Sequence, residues 1–67
     1  MQVNPYAERP AFRVGDAVEA DNGTEWECGT VVRVYQGEDR SGRMMWFYDV
    51  EFEFGVVNYI AYLRAAR

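Results

Sequence analysis

The sequence predicts an all-β fold: a small, strongly bent antiparallel barrel of about five strands with an extended N-terminal arm. Three observations lead there. Tyr48, Val50, Phe52 and Phe54 alternate with Asp49, Glu51 and Glu53, the period of two that marks a strand with one buried and one wet face. The run that contains them, Met44 to Phe54, is about twice the usual strand length. In a chain of 67 residues such a strand has to bend and serve two parts of one small sheet. Short apolar runs elsewhere are separated by tight-turn residues, Asn22-Gly23 giving the strongest hairpin signal.

Residues 1–11 contain Pro5 and Pro10 and show no periodicity, so they read as an arm outside the domain, which spans 12–67. Tyr6 is a candidate pin for that arm. Asp16 to Ala20 forms a first strand, entered through Gly15, with Phe12, Val14 and Val18 facing inward. Trp26 to Tyr35 forms a second. Its parity is muddled at Val31-Val32, two apolar neighbours that cannot share a face without a bulge, and Gly29 is the natural place for one. On that register Val32 and Val34 point inward and Val31 meets a neighbouring strand or an interface. Gln36 to Arg43 is a solvated hairpin tip, and Gly55 turns the long third strand into a fourth, Val56 to Ile60. Ala61 to Arg64 resembles one helical turn, with Leu63 plugging the barrel end.

Composition sets the functional classes. Two Trp, five Tyr and four Phe let a short chain fill a core. The net charge of −4, with every basic residue an Arg, disfavours a phosphate backbone and favours a cationic protein or peptide as partner. With no His and a single Cys, neither a His-based acid–base site nor a Cys/His zinc site is expected, and no disulfide can form within the chain. No metal or cofactor is therefore expected. No apolar run approaches the length of a membrane helix and the N-terminus lacks the pattern of a signal peptide, so a cytoplasmic setting is expected.

Phe12-Arg-Val-Gly-Asp-Ala-Val-Glu-Ala, Gly23, Trp26, Gly29-Thr-Val-Val-Arg-Val, Tyr48-Asp-Val-Glu-Phe and Leu63-Arg64 resemble the Tudor and Agenet family of Src-homology-3-like barrels. The resemblance implies a non-enzymatic module that holds methylated Lys or Arg in an aromatic cage. Carried over by position, the cage is Trp26, Phe52 and Tyr59, with Asp21 and Glu25 supplying negative charge. The sequence departs from the family at one point: Glu27 stands where the first-hairpin cage aromatic usually lies, and Trp26 is one place earlier. The alternative has Trp26 packing on the barrel end and Phe52 as plain core. A second likeness, Gly15-Asp-Ala-Val with Gly23 and Trp26, is to the plasmid-encoded type II dihydrofolate reductases. The Gln-Ile-Tyr of that family's active segment is missing from Val56-Val-Asn-Tyr-Ile, and the chain has no lysine. That likeness implies assembly through barrel faces without the enzyme activity.

Other residues read as scaffold. Cys28, beside glutamates, is a small buried filler with a raised pKa, and Glu51 and Glu53 belong to the solvated face. Both faces of Met44–Tyr48 are apolar, which requires cover on both sides. Either the arm supplies it or a second copy does, through a patch of Val31, Tyr35, Met45 and Phe47. The patch predicts a homo-oligomer, most simply a two-fold dimer.

Overall fold

A computed structural model describes residues 4–66. The protein is all-β. Five strands, β1 (Ala17–Asp21), β2 (Trp26–Glu38), β3 (Met44–Phe52), β4 (Gly55–Ile60) and β5 (Arg64–Ala65), form one antiparallel sheet in the order β4-β3-β2-β1-β5. The sheet is not closed into a barrel, since β4 and β5 are its two edges and do not pair. It is nonetheless strongly bent. Ile60 ends β4 and Arg64 starts β5 four residues later, so those ends of the two edge strands lie within about 14 Å of each other.

The inner face is the core: Phe12, Val18, Val31, Tyr48, Val50, Phe52 and Leu63 are buried, with Ala20, Val34, Trp46 and Ile60 packed around them. The alternation of β3 therefore holds for Tyr48, Val50 and Phe52, and Leu63 does plug the core. Phe54 departs from it. The strand stops at Phe52 and a turn precedes Gly55, whose φ is +138°, so Phe54 leaves the pleat and is 70% exposed.

The muddled parity of β2 resolves differently from the expectation. Val31 pairs with Val50 and Arg33 with Asp49, leaving Val32 as the extra residue of a bulge. Val31 and Val34 thus both face inward, while Val32 is pushed out. Gly29 is not the bulge; it lies in regular register with Val18, and its role is a close crossing. A Cβ there would sit 2.6 Å from Val50 Cγ1, 2.8 Å from the Glu51 carbonyl oxygen and 2.9 Å from Phe52 Cδ1.

Three further expectations are corrected. Val14 is exposed because Arg13–Asp16 is a turn, in which Asp16 Oδ2 accepts from the Arg13 N–H at 2.8 Å and the Asp16 N–H donates to the Arg13 carbonyl at 3.0 Å. Cys28 is exposed, not buried: Gly29 and Val31 hold β2's inward positions, which turns Cys28 outward opposite Glu19. Residues 61–64 form no helical turn; the chain crosses the sheet end and pairs β5 with Val18 and Glu19 of β1.

The arm from Asn4 onward lies along β3. The Trp46 N–H, beyond the last β3–β4 pair, donates to the Pro5 carbonyl at 2.8 Å, and the indole Nε1–H donates to the Ala7 carbonyl at 3.0 Å. Tyr48 Oη accepts from the Ala11 N–H at 3.0 Å. Tyr6 donates to Asp39 at 2.7 Å and carries the Arg43 guanidinium 4.1 Å above its ring. Hydrogen bonds from Ser41 first, and Tyr6 next, hold the Asp39 carboxyl well below the usual carboxylate range.

Because the atoms that crowd Gly29 include main chain, Gly29→Ala cannot be absorbed by rotating one side chain. It is expected to cost about 1–3 kcal/mol, measured as a lowered urea midpoint at unchanged slope. An unchanged midpoint would mean that the two strands do not cross as described.

Candidate functional site: an acidic aromatic groove

The bend of the sheet leaves a groove on the inner face, between the β1–β2 hairpin and the β3–β4 turn. It is lined by Ala20, Asp21 and Asn22, by Glu27 of β2, by Phe52 and Phe54, and by Val57, Ile60 and Tyr62. Its volume is about 240 Å³, below the roughly 300–1,000 Å³ of sites that hold a small-molecule ligand. One long side chain is closer to its scale.

Each wall has a local cause. Ala20 pairs with Glu27, and because Ala20 faces the core, Glu27 faces the groove beside it. Asn22 fixes the carboxylate by donating from Nδ2 to Glu27 Oε1 at 3.1 Å. The Asn22 side chain also organises the turn, its Oδ1 accepting from the Thr24 N–H at 3.0 Å and the Glu25 N–H at 2.9 Å. Asp21 Oδ1 accepts from the Gly23 N–H at 2.8 Å, with Gly23 at φ +101°. On the opposite wall Phe54, freed from the strand pleat, lies parallel to Phe52 with centroids 5.1 Å apart and planes at 4°. The pair forms a continuous aromatic surface, buried at one end and open at the other.

The cage expected from the sequence does not assemble. Phe52 and Asp21 line the groove; Trp26, Glu25 and Tyr59 do not. Trp26 pairs with Asp21 on β1 and lies on the outer face, covered by the Arg64 guanidinium at 3.8 Å, and Arg64 Nε bonds Glu19 Oε1 at 2.6 Å. Its ring already holds a cation from the same chain. Glu25 is an exposed turn residue whose carbonyl accepts from the Asn22 N–H. Tyr59 belongs to a separate cluster on the outer face. What the sequence reading missed is Phe54, Tyr62, Val57 and Ile60 as walls, and Glu27 as the groove carboxylate. A tight two-residue Asn22-Gly23 turn would pair Ala20 with Glu25. The connection is four residues long, 22–25, and that longer turn brings Glu27 opposite Ala20, which the sequence did not signal.

The outer cluster contains Tyr35, Phe47 and Tyr59, with centroid separations of 6.0, 5.5 and 5.8 Å. These rings pack against one another. Beneath them Asp49 is buried, although the alternation placed it on the wet face. It is retained by hydrogen bonds: Oδ1 accepts from Tyr35 Oη at 2.6 Å and from the Tyr59 N–H at 3.3 Å. Between Tyr48 and Val50 β3 has one residue, whereas between Val57 and Ile60 β4 has two, so β4 carries a bulge there. Tyr59 occupies it at φ +60°, a left-handed conformation disfavoured for a bulky residue. Its N–H also donates to Tyr35 Oη at 3.0 Å, so the Tyr35–Asp49 pair clamps the bulge. Of the patch proposed for self-association, Val31 and Met45 are buried within their own chain, and Tyr35 and Phe47 are half-buried in this cluster.

Burial and the Asp49 hydrogen bond raise the Tyr35 pKa above its ordinary value of 10.0. Cys28 is raised by its hydrogen bond to Glu19, with Sγ 3.5 Å from Oε2. Among the described residues no group of three or more His, Cys, Asp or Glu is placed to hold a metal ion, and no helix is long and apolar enough to cross a membrane.

No protein-family model matches the chain, and no curated protein or solved structure matches it either. The class that fold and site define is therefore structural: a small, bent five-stranded antiparallel sheet with an acidic aromatic groove on its concave face.

The clamp gives a test in alkali. A raised folded-state pKa means that Tyr35 contributes stability fully below pH 10.0 and loses it as pH rises through the folded value. Stability of the wild type should fall above that point, and Tyr35→Phe should flatten this limb. At neutral pH the same substitution should cost about 1–2 kcal/mol, because it strips Asp49 of its shorter donor. Equal alkaline limbs in the two proteins would remove the clamp.

Proposed function

We propose that this chain is a non-enzymatic recognition module for a basic protein or peptide, and that the groove receives one cationic side chain. A methylated Arg or Lys fits its chemistry best. The observation that carries the reading is the joining of three aromatic residues, Phe52, Phe54 and Tyr62, with Glu27 in one recess of side-chain size.

The physical argument concerns hydration. An ordinary ammonium is strongly hydrated and loses much on entering an apolar recess. Methylation spreads the charge, weakens hydration and adds apolar surface that rings can cover, each good ring contact being worth about 0.5–2 kcal/mol. Glu27, held by Asn22 at the wall, supplies the opposite charge. The net charge of −4 draws basic partners in and repels phosphate backbones, which favours this reading over nucleic-acid binding. The groove is lined mainly by apolar and aromatic side chains, which favours binding over catalysis.

The test is calorimetric titration with matched peptides carrying unmodified, methylated Lys or methylated Arg side chains. Binding should follow methylation. Glu27→Gln should weaken it about three- to tenfold, the scale of one partly exposed charge contact. Phe54→Ala should weaken it comparably while leaving the fold intact, since that ring is largely exposed. Binding that is indifferent to both substitutions would remove the groove from the account.

A further inference from the structure

The two edges of the sheet are treated differently. On one side the last strand is β5, two residues long, and its Arg64 is tied to Glu19 and Trp26. On the other side the last strand is β4, six residues long, Gly-Val-Val-Asn-Tyr-Ile, with no charge and no proline. Val56, Val57 and Tyr59 are 53%, 38% and 70% exposed. Native sheets blunt their edges with charges, proline, bulges or cover, because an open edge is a template for another strand. The bulge at Tyr59 blunts the end of β4, and Gly55 to Val57 stay in regular register with β3.

That regular stretch adjoins the groove. Val57 and Ile60, on the inner side of β4, form one of its walls, and Phe54 leads directly into the strand. We propose that the β4 edge and the groove are two parts of one site. The partner supplies an extended segment that pairs with β4 as a sixth strand, and a cationic side chain of that segment turns inward over Phe52 and Phe54. This inference rests on the groove reading and adds the mode of docking.

The chemistry of the segment follows from the surfaces that it meets. Side chains alternate along a strand, so only every second residue can face the groove. One of these is the cation, matched to Glu27. The residues beside it lie against an uncharged edge and Val56, and are β-branched or otherwise apolar. Proline is excluded at positions that donate to β4.

The probe is a short acetylated peptide amide, Thr-Val-Thr-Arg-Thr-Val-Thr, with its arginine dimethylated. It is compared with a series N-methylated at one backbone nitrogen at a time, and with dimethylarginine amide alone. Calorimetry gives affinity and amide hydrogen exchange gives position. Ladder hydrogen bonds alternate along a strand, so N-methylation should cost about tenfold or more at every second position and little between them. Amide exchange in Gly55–Asn58 should slow on binding, and the free amino acid amide should bind more weakly than the peptide. If Glu27→Gln weakens binding but N-methylation has no alternating effect and β4 exchange is unchanged, strand addition is overturned and the groove reading stands. Absence of peptide binding at about 1 mM, where a free energy near −4 kcal/mol would register, overturns both. Protection of β4 that rises with protein concentration without peptide would show a second copy on the edge, and overturns the proposal as well.

Discussion

The structure depends on one close contact, the crossing of Gly29 over β3. Side-chain atoms of Val50 and Phe52 and the carbonyl of Glu51 occupy the space that any Cβ at Gly29 would need. This approach lets β2 curve over the core residues of β3 while Val18 packs from the β1 side. Two bulges extend the bend, Val32 on β2 and Tyr59 on β4. Each breaks the two-residue period once and so changes which side chains face inward. The concave face that results is short enough to be filled by seven buried residues, and its open end is the groove.

The aromatic residues fall into separate sets with separate duties. Phe12 and Tyr48 meet edge to face in the core, with centroids 5.7 Å apart. Tyr35, Phe47 and Tyr59 pack against one another on the outer face and shield Asp49. Trp26 is matched to Arg64 within the chain. The groove set, Phe52, Phe54 and Tyr62, combines open ring surface with nearby carboxylates. Aromatic content alone would not single it out. What distinguishes it is that its rings border a recess beside Glu27.

Much of the fold was legible in the residues. The alternation of Tyr48, Val50 and Phe52, the Asn22-Gly23 turn, the turn at Gly55 and the plug at Leu63 each rest on a local rule that the structure obeys. The errors arose where a local rule met a long-range one. Val31 and Val32 are equally apolar, and only the register against Val50 and Asp49 decides which is inside. Asp49 sits at a wet position by period, yet Tyr35 and Tyr59 come to it from other strands. Trp26, Phe52 and Tyr59 were grouped by the resemblance, and the register of three strand pairs separates them. Phe54 shares the parity of Phe52, and the turn at Gly55 converts it from core into groove wall.

The account turns on which aromatic set meets a ligand, and aromatic and methyl carbon–proton correlation spectra read this directly. Titrating the protein with dimethylarginine amide should move the resonances of Phe52, Phe54, Val57, Ile60 and Tyr62, which line the groove. Tyr35, Phe47, Tyr59 and Trp26 should stay in place. Shifts centred on that second group, or spread evenly over both faces, would contradict the assignment of the groove as the binding site.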